Sequence, residues 1–522
     1  MSPLFSGVER KITLPYTEGT MKKVLTSLIS LLVVLSLHAS VSLISGADPQ
    51  LLYDGFPRFN LGADTKSEEY TSRGFYTTLQ DVYYRYYERD SFFDIGFRVD
   101  DEHFRLVFDI DLRQTLNSFY RRNYYSNIPY RFDILNDILD LNFPRYAYGE
   151  ISFDRFFVSV GRRPISWGPG SHQFAVSGDV PFLDNIWADY TTAIGNGSFT
   201  YNFVLISFNR LGLRNSVTKS GKVPEDTSEV VKTVAAHRVE WNGGFFRVSV
   251  GELNLIYNRY PDFFDINPFA VYHNLYQQGS NVMLYLEAEG IIDLPGEGKL
   301  RLFGEFEMDD FSLPTEDEKG KPTAFGVGGG LQWHIADGED SLLIGENSEK
   351  YTLSSTTYEF RTGLNLTYGI YFCNPYNYNR EVDAGKFTVP LHTDGNSDLY
   401  APNALYLGFK YGPNSLYQEL KAEFVSGNIG ATLGLGVLIR GNGYTIDSPY
   451  GESTIGTGEI DYDAVYTLNG DLMTTVLLDA GVRYLYAPGL QLEASVEAAF
   501  DTYNGKNAVS VTVGHRIDFM SL

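Results

Sequence analysis

The segment Ala508-Val-Ser-Val-Thr-Val-Gly-His-Arg-Ile-Asp-Phe519 places Val509, Val511, Val513, Ile517 and Phe519 on one parity, and Ser510, Thr512, Gly514, Arg516 and Asp518 on the other. A strand sends successive side chains to opposite faces, so one face here is apolar and the other polar. The alternation recurs in His103–Arg113, where Phe104, Leu106, Phe108, Ile110 and Leu112 oppose Arg105, Asp109, Asp111 and Arg113. It recurs again in Glu419–Val425, Gln491–Asp501 and Tyr358–Tyr368. Tilted strands of about 9–11 residues cross a bilayer. A face bearing Asp, Glu and Arg at alternate positions cannot fill a small sandwich core without heavy desolvation. It can line a water-filled or hydrogen-bonded lumen. The pattern predicts an all-β chain closed into a transmembrane antiparallel β-barrel.

Further strand candidates are Arg73–Tyr87, Ser91–Val99, Arg145–Phe153, Arg155–Arg162, Ser198–Asn209, Thr233–Trp241, Phe245–Tyr257 and Asn281–Ile291. Lys299–Met308, Thr323–His334, Asn403–Tyr411, Ile429–Arg440 and Thr474–Tyr486 complete a set of about 18, an even number as bacterial barrels require. Asn242-Gly243-Gly244 and Asn504-Gly505-Lys506 suit hairpin turns. Long connections fall near 114–144, 163–197, 210–232, 258–278, 371–402 and 442–472, and they do not sort onto one rim in this count. Ile134, Leu135, Ile138 and Leu139 recur at helical spacing within Tyr130–Leu141, which fits a short rim or plug helix or a loop. Parity slips after Val248 and Val250, with Leu253, Leu255 and Tyr257 on the opposite register, so a β-bulge is expected at Gly251-Glu252.

Composition agrees with a barrel and argues against membrane helices. Charged residues make up 20% of the 522 and hydrophobic residues 43%. A spanning helix needs about 20 continuous apolar residues, whereas a barrel shows lipid only alternate ones. The 38 Tyr and 36 Phe suit membrane–water interfaces. Met21-Lys22-Lys23 and the apolar run Val24–Leu37 read as a secretory signal. Cleavage is expected before Asp48, after Ser45-Gly46-Ala47, with cleavage after Ala39 as the alternative. Residues 1–20 then form an upstream extension or mis-start, 21–47 the signal peptide and 48–522 the barrel. The net charge of −24 makes nucleic acid a poor partner. Cys373 is the single cysteine, so no intrachain disulfide forms. The histidines lack metal-ligand spacing, and neither a nucleophile–base pair nor a phosphate loop is evident. No cofactor, metal or enzymatic activity is expected.

The most distinctive local sequence is Gly161-Arg162-Arg163-Pro164-Ile165-Ser166-Trp167-Gly168-Pro169-Gly170, followed by Phe182-Leu183-Asp184-Asn185. It reads as a strand end entering a sharply turning loop, stiffened by Pro169 and anchored by Trp167. A second block runs through His237-Arg238-Val239-Glu240, Gly251-Glu252, Ile256-Tyr257, Asn267-Pro268-Phe269 and Asn281. Together these resemble the Wzi capsule-assembly family of outer-membrane proteins, best over roughly residues 145–310. The resemblance implies an 18-stranded outer-membrane barrel with an occluded lumen and periplasmic helical parts, holding extracellular polysaccharide at the surface of a diderm bacterium. Carried over by position, Arg163, Trp167, Glu252 and Asn267 are the candidate ligand-binding residues. For Trp167 and its glycines a purely structural turn is the competing reading.

The expected partners are outer-membrane lipids, extracellular polysaccharide and the machinery that chaperones and assembles barrels. Tyr371–Arg380 has a sugar-binding make-up, rich in aromatic rings and amides. The alternative function is a porin-like solute channel, in which Glu493, Glu497 and Asp501 would favour cations.

Overall fold

The computed structural model describes residues 40–47, 50–54, 78–115, 144–208, 232–274, 279–296, 298–310, 322–335, 363–392, 400–446, 448, 465–503 and 507–518. The first strands are β1 (Ser40–Ala47), β2 (Gln50–Asp54), β3 (Phe93–Asp100), β4 (Phe104–Leu112), β5 (Tyr146–Phe153), β6 (Phe156–Arg163) and β7 (Leu183–Ile194). They are followed by β8 (Gly197–Ser207), β9 (Lys232–Asn242), β10 (Phe246–Tyr257), β11 (Ser280–Leu294), β12 (Gly298–Asp310), β13 (Ala324–Ile335) and β14 (Gly363–Cys373). The last are β15 (Thr388–His392), β16 (Tyr400–Tyr406), β17 (Ser415–Ser426), β18 (Ile429–Gly441), β19 (Leu472–Ala487), β20 (Leu490–Asp501) and β21 (Asn507–Asp518). Among the described residues one α-helix, α1 (Leu79–Glu88), precedes β3.

Nineteen of these strands form one sheet, and β15 pairs with β16 apart from it. From β3 to β21 each strand of the large sheet pairs antiparallel with the next, as in the β19–β20–β21 run. The two ends meet through the N-terminal strands. β1 pairs with β3 over Ser40–Ala47 and with β21 at Gly46 and Ala47, and β2 continues along β21 in the same register. β1 and β2 therefore share one position, so the nineteen strands occupy eighteen positions, and each position has two neighbours. Closing the ring removes the unpaired edge that lipid could not hydrogen-bond. Cutting the chain before Asp48 would take β1 out of this wall, whereas cutting after Ala39 leaves it whole.

The wall's two faces meet different surroundings, as the alternation requires. In β4, Val107, Asp109 and Asp111 point inward and are buried, while Leu106, Phe108 and Ile110 stay partly exposed. Val509 and Val513 of β21 are exposed beside buried Ala508 and Ser510. The outward apolar band includes Leu433, Leu435, Val482, Leu492 and Val496.

The structure corrects four sequence expectations. Arg73–Tyr87 is not a strand: its described part belongs to α1, whereas Tyr130–Leu141 lies outside the described residues. Asn403–Tyr411 contributes β16, which leaves the wall to pair with β15. The connection expected at 163–197 contains the wall strand β7. No bulge interrupts β10, whose pairing passes Gly251 and Glu252 without a register shift on either side. The apparent slip arises because Leu253 and Leu255 face an apolar part of the lumen, while Glu252 and Asn254 face outward under a connecting loop.

With these corrections the connections sort. Two- and three-residue turns join β3–β4, β5–β6, β7–β8, β9–β10, β11–β12, β17–β18 and β19–β20 on one rim, where β21 also ends. The long connections after β4, β6, β8, β10, β14 and β18 lie on the other. The 336–362 connection is the exception on the short-turn rim, and 502–506 is brief on the opposite one. In barrels of this kind short turns are periplasmic and long loops extracellular, which assigns the long-loop rim to the cell exterior.

Candidate functional site

Three segments fold inward from the long-loop rim. The first is α1. Thr78 caps it: the Asp81 amide donates to Thr78 Oγ1 at 3.3 Å, and the Thr78 amide donates to Asp81 Oδ2 at 2.9 Å. Val82, Tyr83, Tyr84, Tyr86 and Tyr87 are all buried. These tyrosines pack on most of the helix, while Asp81, Arg85 and Glu88 share its remaining polar face. Tyr84 Oη donates to the Tyr406 carbonyl and accepts from the Tyr406 amide, at 3.1 and 2.9 Å. Arg440 of β18 holds Asp81 through two bonds of 2.6 and 2.7 Å, Arg85 pairs with Glu497 of β20, and Lys410 with Glu88.

The second segment is the connection 164–182, which carries the Trp-Gly-Pro-Gly element. The Trp167 amide donates to the Val176 carbonyl at 2.9 Å, folding the segment back on itself. Trp167 is fully buried, with the Arg238 guanidinium 5.0 Å from its ring centre and Tyr285 stacked at 6.0 Å. Gly168 has φ of 142°, which an L side chain rarely adopts. Arg301 donates to the Pro169 carbonyl at 2.8 Å. His172 sits among the rings of Tyr371, Tyr411 and Tyr417, with Nδ1 3.3 Å from Asp179 and Nε2 3.6 Å from Glu419. Burial disfavours its charge, but these two carboxylates outweigh that and raise its pKa above the ordinary value.

The third segment, 374–414, includes β15 and β16. Asn374 Oδ1 accepts from the amides of Tyr376 and Asn377, and Tyr378 Oη donates to the Phe174 carbonyl at 2.7 Å. Asn374, Tyr376, Asn377, Tyr378 and Asn379 are all fully buried. The sugar-like composition of this stretch therefore serves packing, and it offers no open ring face.

Glycines in β13 make room for the filling. A Cβ at Gly326 would collide with the Phe174 ring, and one at Gly328 would lie 2.6 Å from Tyr371 Cδ1. Gly326→Ala is expected to destabilise the folded barrel by about 1–3 kcal/mol through overpacking. Urea unfolding in detergent measures this, and a midpoint equal to that of the parent would show that the lumen is loosely packed there.

What the three segments leave open is a polar cleft between α1 and the wall β17–β21. Two connected spaces of about 290 and 260 Å³ share Arg85, Glu88 and Glu497. Lys410, Tyr411, Tyr417 and Asp479 line the first, and Arg89, Arg483, Glu493 and Thr512 the second. The lining combines carboxylates, guanidinium groups and phenol rings, which together can bind hydroxyl-rich or zwitterionic solutes. Among the described residues no cluster of His, Cys, Asp and Glu has the arrangement of a metal site.

The four sequence-predicted site residues fall into two other places. Arg163 is buried at the end of β6, bonded to Glu150 at 2.9 Å, with its guanidinium 4.6 Å from the Tyr148 ring centre. Trp167 lies in the luminal packing just described. Glu252 of β10 accepts from the Tyr272 amide at 2.7 Å, and Asn267 Oδ1 accepts from the Phe269 amide at 3.1 Å within the β10–β11 connection. None of the four lines the cleft. Glu493 and Glu497 were legible as luminal, whereas Arg85, Glu88, Lys410, Tyr411 and Tyr417 carry no local motif and are assembled by closure of the barrel.

No family model and no curated protein matches the sequence. Solved structures do. Wzi of Escherichia coli, described as a carbohydrate-binding β-barrel involved in group 1 capsule assembly, is 11% identical with a TM-score of 0.49, over 97% of this chain and 90% of that one. OccAB1 of Acinetobacter baumannii is 11% identical, TM-score 0.42, over 93% and 99% of the two chains. OccK2 of Pseudomonas aeruginosa, solved with glucuronate, is 8% identical, TM-score 0.39, over 92% and 97%. No described helix is long and apolar enough to cross a membrane. With its closed antiparallel wall and apolar outer band around a filled lumen, the chain is a multi-pass outer-membrane β-barrel whose fold is similar to that of the Wzi capsule-assembly protein.

Proposed function

We propose that this barrel binds extracellular polysaccharide at the cell surface, as a binding rather than a catalytic protein. The observation that carries the reading is the filled lumen. Three inward segments, fixed by buried hydrogen bonds and ion pairs, leave a walled polar cleft. Tyrosine rings beside carboxylates and guanidinium groups suit sugar rings and their hydroxyls. The sequence resemblance to capsule-assembly barrels points to the same ligand class. Folded protein in detergent is expected to retain acidic or neutral exopolysaccharide on a glycan array. Absence of retention by a barrel shown to be folded contradicts the proposal.

A second reading, a solute channel, draws on the charges lining the cleft. Arg85, Arg89 and Arg483 stand among Glu88, Glu493 and Glu497, so the lining is mixed rather than acidic. Planar-bilayer recording separates the two. An occluded barrel gives no steady current, whereas a stable ion-selective conductance supports the channel.

A further inference from the structure

We propose that the connection between β10 and β11, over residues 258–274, is an interfacial flap that lies on the barrel's outer face and inserts its aromatic side chains into outer-leaflet lipid. On β10, Val248 and Val250 point outward and are 37% and 45% exposed, but Glu252, Asn254 and Ile256 continue that parity and are buried. What covers them is this connection. Tyr272 packs with Ala235 and Ile256 of the outer wall, stacks on His237 at 4.6 Å, and gives its amide to Glu252. Ionisable groups facing hydrocarbon are costly. His237 and Glu252, 3.6 Å apart on the outward parity, are shielded from lipid by protein.

The flap is a built structure. Asp265 accepts from Arg259 and from the Asp262 amide, Asp262 accepts from the Phe264 amide, and Asn267 turns the chain into Pro268. Its far side nevertheless presents three phenylalanine rings. Phe263 is 89% exposed, Phe269 84% and Phe264 63%. Lipid is the occupant because this surface continues the wall's lipid-facing band. Phe269 stacks at 5.8 Å on Tyr201, which shares the outward parity of β8 with Phe199 and Phe203, and Tyr201 Oη donates to the Pro268 carbonyl. Tyr201 is paired with Val239, and Val239 with the outward, lipid-facing Val250, so the flap meets the wall within its apolar band. The second sequence block, from His237 through Glu252 to Asn267-Pro268-Phe269, is thereby explained as a flap and its seat. The inference rests on the barrel alone and stands whether or not the cleft binds glycan.

The test uses the full chain carrying one added cysteine, Phe263→Cys or Phe269→Cys. Each is labelled with a nitroxide and reconstituted in dioleoylphosphatidylcholine vesicles. Native Cys373 is fully buried, which protects it from the label. Leu433→Cys on the outer wall and Glu102→Cys in a short turn serve as lipid and water references. Both flap labels are expected to collide with oxygen several-fold more than with a water-soluble nickel chelate, matching the Leu433 site. Values matching Glu102 overturn the proposal. So does dipolar broadening that disappears on dilution with unlabelled protein, which would mean that a second copy occupies the surface. Phe263 and Phe269 are surface positions, so either variant alone decides the matter if the other fails to fold.

Discussion

Arg440→Leu is expected to destabilise the barrel by about 3–5 kcal/mol, the usual consequence of removing one partner from a buried ion pair. Arg440 is buried in the wall, and its two bonds to Asp81 anchor the first turn of α1. Without it the Asp81 carboxylate loses both guanidinium bonds that tie the start of α1 to the wall. The double variant Asp81→Asn/Arg440→Leu should recover part of the loss, because the uncompensated charge is gone. Urea unfolding in detergent provides the readout. Loosening α1 also widens the cleft, so the single variant should pass measurable current in a planar bilayer where the parent does not. A single variant as stable and silent as the parent would mean that α1 is held by its apolar surface alone.

How much of this was legible in the sequence depended on where each residue's neighbours come from. The wall followed from alternation, because lipid lies on one side of nearly every strand and imposes period two. The signal failed where protein replaced lipid or solvent. Val82–Tyr87 reads as a β-rich run of aromatics, yet it is helical, with buried tyrosines over most of its circumference and Asp81, Arg85 and Glu88 on the narrow face toward the cleft. In β7, Leu183 and Trp187 face the packed lumen while Ile186 faces outward, which blurs the alternation. Asn403–Tyr411 looked like wall because β16 is a true strand, but it pairs inside the barrel. Two segments wrongly taken for wall offset two missed wall positions, β7 and the β1–β2 composite, so the count of about 18 stood although its membership changed. The cleft was hidden for a different reason. Its residues run from Asp81 to Thr512, and only ring closure brings them together.

The second large effect concerns the wall itself. Val513 lies mid-strand in β21, 51% exposed on the outer face, while its neighbour Thr512 points inward and lines the cleft. An arginine at 513 would place a charge in hydrocarbon near the middle of the bilayer, at a cost of about 2–4 kcal/mol. An arginine at 512 would enter a polar space already lined by Glu493 and Glu497, and its cost should be small. Adjacent positions with the same substitution separate the two sides of the wall with the rest of the chain held constant. The most direct measurement is therefore the folding free energy of Val513→Arg and Thr512→Arg in lipid vesicles, from reversible denaturant titration. A loss of about 2–4 kcal/mol at 513 with a mild effect at 512 is the predicted result. Equal losses at the two positions, or the larger loss at 512, would contradict a cylinder with lipid outside and a polar interior.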